Sequence, residues 1–182
     1  MSIVRAFLAV VPPPDVLSRI EAWVAGLRPM LPEAKWVRKG QFHITLRFLG
    51  EAPIEKILAF AGLIDEPGGF DVCLNRAGGF PSLARPRTLW IGAAPDRPSG
   101  ADALAAMAAR AERAAVASGF PPETKPFRPH VTIARLRTPQ TPTGRLAEAL
   151  KNPPAFAWRC SGAVLFRSTL TPSGPIYTEI TR

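Results

Sequence analysis

The two histidines of this 182-residue chain stand in the same four-residue pattern, His-apolar-Thr-apolar. The first copy is His43-Ile44-Thr45-Leu46 and the second is His130-Val131-Thr132-Ile133, about half a chain length further on. A chance match of this kind is rare, so an internal duplication is the simplest explanation. The repeat therefore predicts two related halves, which we place at residues 1–92 and 101–182.

The spacing inside each copy places a particular pair of groups on one surface. In a strand, residues two apart point to the same face, about 6.6 Å from each other. Each copy then presents an imidazole beside a hydroxyl, while the apolar residues between and after them enter the core. Two such pairs facing each other suit a phosphate diester. One imidazole accepts a proton from attacking water, the other donates one to the departing oxygen, and the hydroxyls bind the remaining oxygens.

Hydrophobic periodicity and turn residues predict a mixed α+β fold with antiparallel sheets, since strands and helices do not alternate strictly. We expect the strand of residues 42–49 to end at Gly50, and the segment between residues 74 and 88 to be a loop. The predicted strands are 3–10, 35–37, 42–49, 70–74, 88–92, 131–136, 156–166 and 176–180, and the predicted helices are 15–27, 53–64, 101–118 and 144–150.

Composition sets the broader expectations. With 47% hydrophobic and 20% charged residues, the chain can bury an ordinary core as a single domain of residues 1–182. Two cysteines, no signal-like segment and no long apolar run predict a cytoplasmic protein with no membrane contact, and we take a monomer as the default. A net charge of +9 favours an anionic partner such as RNA. The sequence carries no phosphate-binding glycine loop and no metal-ligand spacing, so we expect neither a cofactor nor a metal.

Beyond the doubled motif, further segments resemble the two-histidine (2H) phosphoesterases, in particular the RNA 2′,3′-cyclic phosphodiesterases formerly called 2′-5′ RNA ligases. These segments are Arg5 to Val10, Phe42 to Gly50, Pro126 to Arg135 and Leu165 to Ser168. The resemblance spans nearly the whole chain. It implies a bilobal fold with pseudo-two-fold symmetry, in which two antiparallel sheets line a central cleft and helices lie outside.

The same resemblance implies an activity and a set of roles. It implies that a terminal 2′,3′-cyclic phosphate of RNA is opened to a 2′-phosphate without metal or ATP. It also implies reversible 2′-5′ RNA ligation as a second reaction. His43 would be the proton donor and His130 the proton acceptor, although the two motifs are equivalent by inspection of the sequence alone. Arg135 would contribute to the phosphate site.

Two arginines near the motifs raise a question of orientation. Arg135 lies an odd number of residues from His130, so a regular strand would turn it to the other face, and only a bulge or the strand's end brings it to the site. Arg47 shares the parity of His43 and Thr45, which predicts either contact with substrate phosphates or a place at the cleft rim.

The candidates for stacking on the terminal base are Phe7, Trp36, Phe42, Phe48 and Phe127.

Two other functions remain open at this point. A protein with the same residues can bind RNA ends without turnover, and the same chemistry can act on a small cyclic-phosphate nucleotide. The positive charge favours a polymeric substrate over a small one, because several phosphate contacts add to its binding.

Overall fold

A computed structural model describes residues 2–64, 68–96 and 98–181. The four helices of this part are α1 (Pro14–Leu27), α2 (Ile54–Gly62), α3 (Ala101–Ala117) and α4 (Gly144–Lys151). Its ten strands are β1 (Ile3–Val10), β2 (Lys35–Trp36), β3 (Ile44–Pro53), β4 (Phe70–Leu74), β5 (Arg76–Phe80), β6 (Thr88–Gly92), β7 (His130–Arg135), β8 (Phe156–Cys160), β9 (Val164–Thr171) and β10 (Gly174–Glu179).

The strands form two antiparallel sheets, which confirms the predicted α+β class. The larger sheet has eight strands in the order β10-β9-β1-β3-β7-β6-β5, with β2 paired to β7, and the smaller sheet joins β4 and β8. Strands β3 and β7 meet at the single residue pair Ile44 and Val131. That pair joins two halves of the large sheet, one built from β10, β9, β1 and β3 and the other from β2, β7, β6 and β5.

Helices α2, α3 and α4 contact the large sheet and α1 contacts β8 of the small sheet, and the buried residues of all four helices belong to one core cluster. Helix α2 contacts β1 and β3, and α3 also contacts β3. The buried side of α1 consists of Val16, Ile20, Val24 and Leu27, which recur at helical spacing. None of the helices in the described residues is long and apolar enough to cross a membrane. The opposite face of the sheet remains available for a site.

Strand β3 continues past the point where the sequence predicted its end. Gly50 has a φ of 69°, a left-handed conformation that glycine adopts without steric cost. The pairing with β1 shifts there, since Gly50 lies opposite Ala6 whereas Phe48 lies opposite Phe7, which leaves Leu49 without a partner. Gly50 therefore belongs to a bulge within the strand rather than to a stop, and the prediction of a strand end was wrong.

Strand β5 was missed because two of its five residues, Gly78 and Gly79, have low strand propensity. The structure supplies the reason for both, since a Cβ atom at Gly79 would lie 2.9 Å from the carbonyl oxygen of Ser82. Gly78 lies opposite Trp90 of β6, and a Cβ atom at position 78 would lie 2.1 Å from Cζ2 of that indole ring. The predicted strand of residues 156–166 was also wrong in its extent, since it divides into β8 and β9.

The strands of the two sequence halves interleave in the large sheet. Strands β9 and β10 of the second half join β1 and β3 of the first, while β7 of the second half joins β2, β5 and β6 of the first. The division at residues 1–92 and 101–182 stays a prediction about the repeat, since each half of the sheet contains strands from both.

Candidate active site

The two histidine motifs lie side by side in the middle of the large sheet. Ile44 and Val131 pair with each other and are both fully buried in the core. Because successive side chains alternate between the faces of a strand, the histidine and threonine of each motif lie on the opposite face. His43, Thr45, His130 and Thr132 all line one cavity of about 340 Å³, which we call the histidine cavity. The structure thus brings together the four residues of the repeat.

A bulge in β7 turns Arg135 into the same cavity. In the pairing with β6, Thr132 lies opposite Trp90 and Ala134 lies opposite Leu89, so Ile133 has no partner residue. Ile133 and Ala134 are both buried on the core side. The extra residue reverses the face to which the following side chains point. Arg135 therefore lines the histidine cavity, although it is an odd number of residues from His130.

A bulge at the equivalent place in β3 has the same effect on Phe48. Thr45 pairs with Ala9 and Arg47 with Leu8, which leaves Leu46 without a partner residue. Phe48, five residues after His43, then lines the histidine cavity with 40% of its surface exposed. Phe48 and Arg135 thus occupy matching places after the two motifs. The sequence contains this correspondence, since each residue follows its histidine by five positions. Regular strand alternation, however, predicts that a residue at that spacing points to the other face.

Arg47 does not reach the cavity. It is only 7% exposed, and its guanidinium forms an ion pair of 2.6 Å with Glu112 of α3 and donates hydrogen bonds to the carbonyl oxygens of Phe48 and Pro121. The expectation that Arg47 faces the same way as His43 and Thr45 does not hold, because the bulge at Leu46 reverses the parity between positions 45 and 47. Its ion pair with Glu112 instead links β3 to α3.

Backbone carbonyls fix the protonation pattern of both imidazoles. Nδ1 of His43 lies 2.7 Å from the carbonyl oxygen of Gln41, and Nδ1 of His130 lies 2.6 Å from that of Arg128. A carbonyl oxygen only accepts hydrogen bonds, so each Nδ1 carries the proton. Nε2 is then the ring nitrogen of each histidine that is free to accept or donate a proton in the cavity.

Aromatic rings pack against both imidazoles and hold their orientation. The ring centroid of His43 lies 4.8 Å from that of Phe7 and 5.3 Å from that of Tyr177, and the ring centroid of His130 lies 4.9 Å from that of Phe80 and 6.0 Å from that of Trp90. These contacts restrict rotation of the two imidazoles and also remove them from water. The second effect changes their acidity.

Burial and neighbouring cations lower the pKa of both histidines. Burial is the largest cause for His43, whose pKa falls to about 4, and the charges of His130 and Arg135 lower it further against the opposing effect of the Gln41 carbonyl. The pKa of His130 is lowered by burial first and then by Arg135. At neutral pH the histidine cavity therefore holds two neutral imidazoles beside a guanidinium, an arrangement that favours binding of an anion.

In the described residues, no group of three or more His, Cys, Asp and Glu side chains is arranged to hold a metal ion. The donor groups of the histidine cavity are imidazoles, hydroxyls and a guanidinium, a set suited to the oxygens of a phosphate ester.

Comparison with known proteins places this geometry in a family. The family described as "LigT like Phosphoesterase" matches residues 10–90 and 95–177, and each matched stretch contains one histidine motif. The chain is 30% identical over 190 residues to an RNA 2′,3′-cyclic phosphodiesterase of Methanothermobacter thermautotrophicus, covering 97% of this chain and 96% of the relative. It is 32% identical over 185 residues to a protein of the same name from Escherichia coli K12, covering 98% and 94%.

Solved structures show the same fold. E. coli LigT complexed with 3′-AMP superimposes with a TM-score of 0.81 at 26% identity, covering 99% of this chain and 97% of that one. A crystal structure of a Thermus thermophilus protein matches with a TM-score of 0.73 at 28% identity, covering 97% and 95%.

Proposed function

Because the chain belongs to the LigT-like phosphoesterase family, we propose that it hydrolyses the terminal 2′,3′-cyclic phosphate of RNA to a 2′-phosphate by acid and base catalysis with His43 and His130. The observation that carries this proposal is the convergence of both motifs on one cavity, with each Nδ1 bound to a carbonyl and each Nε2 left for chemistry. The relatives named for this activity support the substrate class.

The reaction needs one proton removed and one supplied. Nε2 of His130 accepts a proton from a water molecule as the water oxygen attacks phosphorus. The bond between phosphorus and the 3′-oxygen breaks, and Nε2–H of His43 gives its proton to that oxygen. The products are a 3′-hydroxyl and a 2′-phosphate, and proton exchange with solvent restores both imidazoles. The assignment of His43 as donor follows the family resemblance.

Thr45, Thr132 and Arg135 supply the contacts to the oxygens that do not react. Both threonines line the histidine cavity, and their hydroxyls can donate hydrogen bonds to the non-bridging oxygens. The Arg135 guanidinium offers a fork of N–H groups to the same oxygens, whose charge increases as water attacks. This arrangement stabilises the transition state more than the substrate.

The lowered pKa of His43 gives substrate binding a second role. His43 is neutral at physiological pH, but the proton donor must be a cation. A bound phosphate anion supplies the opposite charge that the cavity lacks, and this raises the pKa of the imidazole beside it. Substrate binding is therefore coupled to proton uptake, and the acid forms only when there is a phosphate to receive its proton.

The two histidines also accommodate 2′-5′ ligation, in which a 5′-hydroxyl of a second RNA takes the place of water.

A small cyclic-phosphate nucleotide is the alternative substrate, and it differs from an RNA end in lacking the rest of the RNA chain. If the chain acts on RNA rather than on a small nucleotide, the KM for an oligonucleotide will lie below that for a nucleoside 2′,3′-cyclic phosphate and will rise steeply with salt.

Product analysis in chelator tests the proposal. An oligoribonucleotide ending in a 2′,3′-cyclic phosphate is incubated with the protein and excess EDTA in ¹⁸O-labelled water. We expect a 2′-phosphate that carries one ¹⁸O atom, and no product with the double variant His43→Gln/His130→Gln prepared in parallel. A 3′-phosphate product, loss of activity in EDTA, or unaltered RNA recovered from a tight complex would each contradict the proposal.

A further inference from the structure

The wall of the histidine cavity includes residues that the acid and base chemistry does not use. The aromatic residues named from the sequence divide between that wall, which holds Trp36 and Phe48, and the core or its margin, where Phe7, Phe42 and Phe127 pack. The wall also contains three polar side chains to which the proposed reaction assigns no role. We call them the polar row, and they belong to Arg5, Ser168 and Tyr177.

The polar row crosses three neighbouring strands of the large sheet. Tyr177 of β10 pairs with Ser168 of β9. The pairing of β9 with β1 ends at Arg167 and Ala6, and one position further along both strands Arg5 comes next to Ser168. Residues that face each other in an antiparallel pair lie on the same side of the sheet. The three side chains therefore share the face that carries the histidine cavity.

Two members of the row are hydroxyls without a hydrogen-bond partner among the described residues. Ser168 is only 8% exposed, and its hydroxyl borders the cavity. Burial raises the pKa of the Tyr177 hydroxyl against the opposing charges of Arg135 and Arg5, so this group stays protonated at neutral pH and can donate. Buried polar groups in native proteins are seldom left unpaired, so these two hydroxyls indicate a polar ligand.

The third member of the row is a cation that no carboxylate neutralises. The guanidinium carbon of Arg5 lies 5.2 Å from the centroid of the Phe48 ring. Glu51 lies opposite Arg5 on β3, but no ion pair joins these two described residues. A guanidinium beside two hydroxyls is a donor set that suits the oxygens of a phosphate group.

The position of the row indicates which phosphate it can reach. The centroid of the Tyr177 ring lies 5.3 Å from that of the His43 imidazole, so the row begins beside the residue that protonates the 3′-oxygen in the proposed reaction. The reacting phosphate is attached to the 2′- and 3′-oxygens of the terminal ribose. The next phosphate of an RNA chain is attached to the 5′-oxygen of the same ribose, and it therefore lies one sugar away.

A groove leads out of the histidine cavity at the polar row. Strands β1 and β9 are unpaired beyond Ala6 and Arg167, and the space between them has a volume of about 450 Å³. The groove shares Arg5 and Ser168 with the histidine cavity, and its charged lining residues are two arginines, Arg5 and Arg167, and one carboxylate, Glu51. An RNA chain that continues beyond the second phosphate thus has an open path to the surface.

We infer that Arg5, Ser168 and Tyr177 form a second phosphate subsite, which binds the phosphate on the 5′-oxygen of the terminal ribose while the cyclic phosphate reacts at the two histidines. The inference rests on the proposed function, because the reaction at His43 and His130 fixes the position of the ribose. In RNA the bound group is the last internucleotide linkage, and in a small nucleotide it is a 5′-phosphate.

Substrates that differ in this phosphate test the subsite. The KM values for 5′-phosphoadenosine 2′,3′-cyclic phosphate and for an adenosine dinucleotide ending in a 2′,3′-cyclic phosphate are expected to lie about tenfold or more below that for adenosine 2′,3′-cyclic phosphate. A dinucleotide with a neutral methylphosphonate linkage should lose most of this advantage, because it keeps the length and the bases but not the charge. Whichever of the two favoured substrates has the lower KM identifies the source of the phosphate, an RNA chain or a small nucleotide.

Protein variants assign the effect to the row. The readout is the KM for adenosine 2′,3′-cyclic phosphate divided by the KM for its 5′-phosphorylated form, and a general defect in the active site changes both values and leaves this ratio in place. Arg5→Gln is expected to lower the ratio about tenfold, and Arg5→Lys to lower it less. Ser168→Ala and Tyr177→Phe should each lower it about threefold, the latter while keeping the ring beside His43. Arg113→Gln, which removes an equal charge from α3, is the matched control and should leave the ratio unchanged.

The outcomes separate the failure of this inference from that of the proposed function. If wild-type protein hydrolyses none of these substrates, the function itself is wrong and the inference falls with it. If the wild-type protein hydrolyses them, equal KM values for the natural and the methylphosphonate dinucleotide, or an unchanged ratio in Arg5→Gln, would overturn the second phosphate subsite alone.

Discussion

The nitrogen that remains free on each imidazole is the property on which the proposed chemistry depends. Both Nδ1 atoms are committed to backbone carbonyls, of Gln41 for His43 and of Arg128 for His130, each two residues earlier in the chain. The repeat therefore preserves a hydrogen-bond geometry as well as a residue pattern. The sequence predicted that the two histidines act together, but it contained no signal for which nitrogen faces the substrate, because that depends on backbone direction before each strand.

Arg135 is expected to set the acidity of both histidines. Its positive charge lowers the pKa of His43 and that of His130, so replacing it with neutral glutamine should raise both pKa values. NMR titration of the imidazole C2 protons measures this change directly. Arg113→Gln removes an equal charge from the exposed face of α3 and serves as the control. Unchanged titration curves in Arg135→Gln would show that Arg135 lies too far away to act as described.

At the scale of the elements, bulges decide which residues reach the site. Alternation in the strands predicted the placement of His43, Thr45, His130 and Thr132, because no irregularity lies between the histidine and the threonine of either motif. It failed at the fourth residue of each motif, Leu46 or Ile133, where a bulge reverses the alternation and, in β3, sends Arg47 to the core. A bulge has no firm signature in a single sequence, since it arises from the fit between two strands. For Arg135 the sequence could state only that a bulge or strand end was required.

Close packing beneath His130 makes Gly78 the most demanding position in β5. A methyl group there would lie 2.1 Å from Cζ2 of Trp90, whose ring packs beside His130. We expect Gly78→Ala to lower the free energy of unfolding by about 1–3 kcal/mol and to reduce kcat, because Trp90 must move.

Gly62→Ala in α2 is the matched control, since nothing lies within 4 Å of its Cβ atom. It should be neutral, or stabilising by up to about 1 kcal/mol. Equal melting temperatures and equal activity in the two glycine variants would contradict this view of the Trp90 contact.

For the whole molecule, the two depressed histidine pKa values link stability to pH. Between about pH 6.5 and pH 4 the unfolded chain binds protons that the folded chain does not, so the free energy of unfolding must decrease as pH falls. The contribution of His43 is fully present above pH 6.5 and is lost as pH falls towards 4.

Denaturant unfolding at a series of pH values measures this dependence. The loss attributable to His43 is expected to reach about 3–4 kcal/mol at most, since a tenfold change in a protonation equilibrium corresponds to about 1.4 kcal/mol. His43→Gln should remove that part of the slope. A bound phosphate anion should reduce the slope as well, because it favours the protonated imidazole. A wild-type slope retained in His43→Gln would assign the pH dependence to other groups.

Turnover of the single histidine variants and of the double variant tests most directly the claim that the two motifs act on one phosphate. His43→Gln and His130→Gln are each expected to lower kcat for a 2′,3′-cyclic phosphate end by about 10²- to 10⁴-fold with unaltered folding. The double variant should be little worse than either single variant, because groups that act as one unit are not additive. Near-wild-type turnover in either single variant would contradict the account.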